Sequence, residues 1–209
     1  FLNGQGWFVD ALTTKLAVDF LQEHRGERFA MMVGYKAPHR PYTPMDEDAA
    51  AYAGERVQPS PNWHNPAPWL DKKFPALPPA RQYLRPNPDF MARLRTIKSL
   101  DRNIGGLLEA LDDLGLAAQT LVIFTSDNGF QLNDHATGDK RNAYEQSIRV
   151  PMILRQTGKI EPGVSERMVL SIDVAPTIVE AAGFEAPVTM QGRSVLPLLE
   201  QTAAPWRDD

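Results

Sequence analysis

Asp127 and Asn128 are the residues whose types and placement first suggest chemistry. They follow residues 121–124, Leu-Val-Ile-Phe, an apolar run typical of a strand buried on both faces. Ligands of open α/β sheets bind beyond the carboxyl ends of the strands. A carboxylate beside an amide oxygen suits a hard cation such as Ca²⁺ or Mg²⁺. The alternative is a plain turn, because Asp, Asn and Gly all favour turns for backbone reasons.

Helices are predicted where apolar residues recur at helical spacing. In the longest of these segments Asn87 is placed as N-cap, and the helix would be about 40 Å long. The Gly105-Gly106 pair inside it marks a kink or a close packing point. The last segment begins with Asp173 as cap and ends at Gly183. The predicted helices cover residues 7–24, 88–114 and 173–183.

Short apolar runs predict strands over residues 29–35, 120–126 and 150–154. The first strand places Lys36 and His39 at its carboxyl end. Residues 36–90 are rich in proline and lack periodicity, which indicates a long irregular excursion. Such loops are usually functional or disordered, and we favour a wall that shapes a substrate pocket. Its aromatic residues could stack on sugar rings or fill a local apolar cluster; they are Trp63, Trp69 and Tyr83.

The composition is that of an ordinary globular protein, with 43% apolar residues, 23% charged residues and a net charge of −4 over 209 residues. The mild acidity and the absence of a lysine-arginine run argue against nucleic acid as a partner. No apolar stretch has the length needed to span a bilayer. Cysteine is absent, so the chain forms no disulfide.

Two segments together resemble a known family. The stretch from Ser126 through Asp127-Asn128-Gly129 and His135 to residues 139–151 resembles the second metal-binding segment of the type I sulfatases, in the alkaline phosphatase superfamily. Residues 34–41, Gly-Tyr-Lys-Ala-Pro-His-Arg-Pro, resemble a second segment of that family, Lys-x-Pro-His-x-Pro. The resemblance covers nearly the whole chain and is closest to the iduronate-sulfatase-like bacterial branch. It implies an alkaline-phosphatase-like α/β sandwich with helices on both faces of a mostly parallel sheet, here as a partial domain.

The resemblance also implies roles for particular residues. Asp127 and Asn128 match the third and fourth ligands of a calcium site, with Mg²⁺ as the alternative ion. His39 matches a histidine that protonates the leaving oxygen, and an imidazole can donate a proton near neutral pH. Lys140 matches a lysine that contacts a sulfate oxygen and helps protonate the leaving group. Without the family, His39 would be read as a turn residue and Lys140 as a solvated charge.

Three further residues are predicted to face the substrate. Lys36 lies near the expected anion, although the family often carries its lysine one position later. His135 occupies a family position but lacks the glycines that flank it in relatives, which restricts the backbone of its loop. Arg141 follows Lys140 directly. The substrate implied by the family is a sulfated small molecule or a sulfated glycan.

One family feature is missing from the sequence. The nucleophile of type I sulfatases is a formylglycine made within Cys/Ser-x-Pro/Ala-x-Arg, and no serine here begins that motif. We therefore interpret residues 1–190 as the C-terminal portion of a catalytic domain, and 191–209 as the start of the passage to a C-terminal subdomain. The missing N-terminal half is then a partner of this piece. We expect residues 1–209 alone to be inactive, and a periplasmic or secreted location follows from the family.

Two rival functions stay open at this point. One is a phosphonate monoester hydrolase or phosphodiesterase of the same superfamily, in which a histidine more often stands at the position of Asn128. A histidine nitrogen suits a softer metal, so Asn128 favours a sulfatase. The other rival is a catalytically inactive relative that binds sulfated glycans.

Overall fold

The computed structural model describes residues 8–55, 60–63, 88–132, 134–135, 138–199 and 206–207. They form two compact units, the first within residues 1–116 and 130–148 and the second within 117–129 and 149–209. The helices are α1 (Val9–Glu23), α2 (Pro88–Asp113), α3 (Glu145–Ile148), α4 (Val174–Ala181) and α5 (Leu196–Leu199). The strands are β1 (Val122–Phe124), β2 (Gln131–Leu132), β3 (Gly138–Asp139) and β4 (Ile153–Arg155). No described helix is both long and apolar enough to cross a membrane.

Helices α1 and α2 confirm the two long helix predictions and pack against each other in the first unit. Helix α2 continues through Gly105-Gly106 without interruption. Among the described residues, a Cβ atom added at either glycine would meet no atom within 4 Å. The expectation of a close packing point there is therefore wrong.

The buried face of α2 carries polar residues as well as the predicted apolar stripe. Thr96 and Asn103 each donate to the carbonyl oxygen four residues earlier, at 2.8 and 2.7 Å, and Ser99 Oγ lies 3.2 Å from the corresponding oxygen of Arg95. This pattern is available to short polar side chains inside a helix. The buried polar residues are Thr96, Ser99 and Asn103, and the buried apolar ends of the stripe are Met91 and Leu111.

A short 3₁₀ helix, Asp46–Asp48, is anchored on that polar face. The Asp48 carboxylate is 0% exposed and accepts hydrogen bonds from Ser99 Oγ at 3.0 Å and Arg102 Nη2 at 2.8 Å. The hydrogen bond from Arg102 holds the pKa of Asp48 below its usual value. Met45 N donates to Ser99 Oγ at 2.9 Å. A buried carboxylate thus holds the first part of the excursion in place. Residues 56–59 and 64–87, which include Trp69 and Tyr83, lie outside the described residues.

The strand predicted over residues 29–35 is absent, so that prediction is wrong. Odd-numbered positions there are half-buried and even-numbered ones are exposed, and Met32 is 97% exposed. That alternation has the period of a strand. A strand also needs a neighbour to complete its hydrogen-bond ladder, and no described residue pairs with this segment.

Strands β1 and β4 form the sheet of the second unit and confirm two predicted strands in shortened form. They pair antiparallel, with Ile123 opposite Leu154. Strand β4 is not buried as predicted, because Ile153 is 57% exposed. In the first unit β2 and β3 also pair antiparallel.

Asp173 organises the rest of the second unit. A 3₁₀ helix, Ser171–Asp173, leads into α4. The Asp173 side chain does not cap α4, contrary to the prediction. Its buried carboxylate instead accepts the backbone N–H groups of Leu170 and Arg193, both at 2.8 Å, and Arg207 Nη2 at 2.9 Å. Burial alone would raise the pKa of Asp173, but the bonds from Arg207 and the backbone lower it overall.

Gly192 lies where the chain passes the start of α4. A Cβ atom at this position would lie 2.0 Å from the carbonyl oxygen of Ile172. Only a residue without a side chain permits this approach of two backbone segments. The arrangement brings Arg193 to the Asp173 carboxylate.

Candidate functional site

The segment carrying Lys36 and His39 is held by helix α1. The Asp10 carboxylate is 1% exposed and accepts the backbone N–H groups of Lys36 at 2.6 Å and Ala37 at 3.0 Å. One turn further along the helix, Thr14 Oγ1 lies 3.0 Å from Tyr35 Oη. Burial raises the pKa of Tyr35. Two side chains on one face of α1 therefore fix the backbone that leads into the His39 loop.

His39 is exposed, and one nitrogen of its ring, Nδ1, lies at hydrogen-bond distance from two neighbours. Nδ1 lies 2.9 Å from Lys36 Nζ and 2.8 Å from the carbonyl oxygen of Arg40. A backbone bond from His39 N to Lys36 O, at 3.0 Å, closes the turn that brings the two side chains together. Nε2 has no hydrogen-bond partner among the residues described. The hydrogen bonds of the ring to the described residues therefore involve Nδ1 only.

Asp127 and Asn128 lie in the second unit, three and four residues beyond the end of β1. Asp127 is exposed, and its Oδ1 accepts Asn128 N at 2.9 Å and Ser126 Oγ at 3.4 Å. Asn128 Nδ2 donates to Gly129 O at 2.8 Å, which orients the amide. A fixed carboxylate and a fixed amide suit a hard cation. The two residues could supply only part of a Ca²⁺ site, because Ca²⁺ takes six to eight oxygens. In the described ranges, no group of three His, Cys, Asp or Glu residues could hold a metal.

Lys140 and Arg141 follow β3 in the first unit. Asp139 precedes them with a φ of 93°, in the left-handed region that a residue with a side chain rarely adopts. Its carboxylate accepts Lys140 N at 2.8 Å and pairs with the Arg141 guanidinium. The exposed Arg141 is therefore engaged with a carboxylate rather than standing alone as a cation. Strained backbone that persists beside a candidate residue is typical of functional loops.

His135 is a half-buried part of a packed cluster. It has a φ of 53°, and its ring stacks on Tyr144 with centroids 4.6 Å apart. Its Nε2 lies 3.0 Å from Asn62 Nδ2, and its backbone N donates to Asn62 O at 2.9 Å. The neighbouring Asp134 accepts Ser60 Oγ at 2.5 Å and forms a β-bridge with Trp63. These contacts join residues 60–63 of the excursion to the loop that carries His135.

The structure thus brings Lys36 and His39 into direct contact and places His135, Lys140 and Arg141 in the same unit. Asp127 and Asn128 belong to the other unit. The roles of all seven residues stay predictions.

Three carboxylates that shape these loops were not predicted from the sequence: Asp10, Asp134 and Asp139. A signal for Asp10 was present, because it shares one helical face with Thr14, Ala17 and Leu21, and the last two are buried. An acidic residue on a buried helical face needs hydrogen-bond donors from elsewhere. No comparable sequence signal marks Asp134 or Asp139, since their partners lie in loops.

Comparison with known proteins places the chain among sulfatases. The Sulfatase family model matches residues 5–184. The N-acetylglucosamine-6-O-sulfatase of Bacteroides thetaiotaomicron is 40% identical over 131 residues, which are 61% of this chain and 22% of that protein. The human N-acetylglucosamine-6-sulfatase is 32% identical over 99% of this chain and 39% of its own length. The chain therefore spans well under half of the relatives that it matches.

The same likeness holds in three dimensions. A solved structure described as a complex with its substrate D-glucosamine-2-N,6-O-disulfate superposes with a TM-score of 0.80 at 25% identity, over 97% of this chain and 55% of the other. Other matches include extracellular sulfatases and phosphonate monoester hydrolases, one of which overlaps only 63% of this chain.

Proposed function

This chain belongs to the sulfatase family, with its alkaline-phosphatase-like α/β fold, and we propose that the whole protein to which it contributes hydrolyses a sulfate ester. The observation that carries the proposal is the His39 loop. It presents an exposed imidazole whose Nδ1 lies at hydrogen-bond distance from Lys36 Nζ and Arg40 O, while no described residue bonds to Nε2. A donor held in this way can protonate a departing alcohol oxygen.

Each remaining candidate residue has a place in that reaction. Lys140 holds the negative charge of the sulfate group, while Arg141 and His135 shape the approach to it. Asp127 and Asn128 contribute oxygens to a Ca²⁺ site, with Mg²⁺ as the alternative, and the ion would neutralise the sulfate oxygens when bound. Members of this family generally use a metal ion and a formylglycine nucleophile. The 209 residues contain no cysteine and no serine in the formylglycine motif.

For the substrate we propose a sugar that carries a 6-O-sulfate on glucosamine, alone or within a glycan. The names of the bacterial and human relatives and the sugar bound in the solved structure support this choice. Residues 36–90 form part of the pocket wall in this proposal, within a catalytic domain that includes residues 1–190 and passes into a C-terminal subdomain over 191–209. The extracellular relatives favour a periplasmic or secreted location.

The test is release of inorganic sulfate by the whole protein, measured by ion chromatography. We expect release from N-acetylglucosamine-6-O-sulfate in the presence of Ca²⁺ and none after chelation, with little hydrolysis of a phenylphosphonate monoester. Faster phosphonate hydrolysis would support the rival hydrolase of the same superfamily. Binding of the sulfated sugar without any release would support the inactive glycan-binding relative instead.

A further inference from the structure

The Nδ1 atom of His39 has two neighbours of opposite chemical kinds. The Lys36 ammonium, 2.9 Å away, can only donate a hydrogen bond, and the Arg40 carbonyl oxygen, 2.8 Å away, can only accept one. An unprotonated Nδ1 pairs with Lys36, and a protonated Nδ1 pairs with Arg40. The two contacts therefore correspond to the unprotonated and the protonated form of Nδ1.

These two states describe the beginning and the end of a proton transfer. While Nδ1 accepts from Lys36, a neutral imidazole carries its single proton on Nε2, the nitrogen open to the substrate. Loss of that proton alone would leave an imidazolate anion. If Nδ1 gains a proton from the ammonium at the same time, the ring stays neutral and its new Nδ1–H donates to Arg40 O.

From this geometry we infer that Lys36 is a positioning residue that acts through His39, as the source of the proton that His39 delivers. The Lys36 Nζ–H bond breaks and an Nδ1–H bond forms, while the Nε2–H bond breaks and a bond to the leaving oxygen forms. Lys36 ends as a neutral amine, and one proton has moved from lysine to alcohol with no redox change. This inference rests on the proposed function, and it changes the predicted role of Lys36 from substrate contact to proton supply.

Hydrogen bonds to the backbone around Lys36 hold the Lys36 and His39 side chains at a fixed separation. Asp10 receives the N–H groups of Lys36 and Ala37, and the turn bond from His39 N to Lys36 O spans the same residues. The side chains of residues i and i+3 thus meet at hydrogen-bond distance without help from a helix. A lysine that served only to bind an anion would not need this fixed distance to the ring.

The test compares variants of the whole protein on two sulfate esters, after sulfate release by the unaltered protein is established. One ester is 4-nitrophenyl sulfate, whose leaving group needs little protonation, and the other is N-acetylglucosamine-6-O-sulfate, whose alkoxide needs a proton. We expect Lys36→Met and His39→Ala each to lower kcat/KM for the sugar sulfate by about 100-fold, with little change for the aryl ester. The retained aryl activity shows that the variant is folded. The double variant should be no worse than His39→Ala alone.

Two further variants separate proton supply from other roles. Lys36→Arg keeps a donor beside Nδ1 but cannot give up its proton, so the sugar sulfate activity should stay low. Lys140→Ala should depress both esters alike, since that lysine holds sulfate charge. Full activity of Lys36→Arg, or equal losses of both esters in Lys36→Met, would overturn the inference. An unaltered protein that releases no sulfate would instead remove the proposed function itself.

Discussion

At the scale of single residues, the Asp127-Asn128 pair shows how adjacent residues can orient two candidate metal ligands. Ser126 donates to the Asp127 carboxylate, and the Asn128 amide donates to the carbonyl oxygen of Gly129. In the proposed Ca²⁺ site, this local order would reduce the conformational entropy that the loop loses when the ion binds. The other ligands of that site would come from elsewhere, and Asp127 would supply the negative charge of the pair.

We therefore expect Asp127→Ala, in the whole protein, to weaken Ca²⁺ binding by at least about 100-fold and to abolish sulfate release with it. Calorimetric titration with Ca²⁺ measures the first effect and the sulfate assay measures the second. Asp101→Ala is the matched control, because Asp101 is an exposed aspartate of α2. Unchanged Ca²⁺ affinity in the Asp127 variant would remove this residue from the metal site.

The family resemblance of two sequence segments was needed to select His39 and Lys140 as candidates, whereas the position of Asp127 after a predicted strand suggested a role without it. Neither signal was sufficient to find Asp10, whose role depends on two backbone N–H groups more than twenty residues away. A hydrogen bond from a side chain to a distant backbone has no local sequence pattern. Loop-forming carboxylates were missed for that reason.

At the scale of elements, regular periodicity was a good guide and irregular segments were not. Helices α1 and α2 were predicted within two residues at each end, because an apolar stripe of several turns averages out local exceptions. The apolar stripe predicted for α2 did not include Thr96 and Ser99, although both are buried. A short polar side chain that bonds to its own helix backbone can be buried at little cost. Residues 29–35 show the alternating burial of a strand, but no described residue pairs with them, so they do not form one.

The approach of Gly192 to the 3₁₀ helix before α4 gives a sharp test of packing between elements. We expect Gly192→Ala to destabilise the protein by about 1–3 kcal/mol, because the new methyl group would overlap the Ile172 carbonyl and force the backbone to move. Gly163→Ala is the control, since a Cβ atom there meets nothing within 4 Å. Urea unfolding of both variants measures the difference. Equal midpoints for the two variants would show that the close approach is absent in solution.

At the scale of the whole molecule, fully buried carboxylates tie distant segments together within each compact unit. Asp48 joins the excursion to α2 in the first unit, and Asp173 joins three segments in the second. Both pKa values are lowered in the folded protein. The folded state therefore binds fewer protons than the unfolded chain near pH 4, and stability rises with pH in that range.

The expected pH dependence follows directly. The stabilisation from each carboxylate is fully present above the pKa of an unfolded aspartate, about 3.9, and is lost as the pH falls through the lower folded value. Asp48→Asn and Asp173→Asn should each be less stable than the unaltered protein at pH 7. The gap in urea midpoint should narrow below about pH 4. A gap of the same size at pH 3 and pH 7 would contradict the lowered pKa values.

The join between residues 60–63 and the His135 loop has a consequence for how such a protein changes over generations. Ser60, Asn62 and Trp63 belong to the excursion proposed to face the substrate, yet their bonds end on Asp134 and His135, a few residues before Lys140. In the proposed function, a substitution of Ser60 or Asn62 that suits a different substrate also removes a contact of Asp134 or His135. We therefore expect the effects of substitutions at 60–63 and at 134–135 on activity to be non-additive.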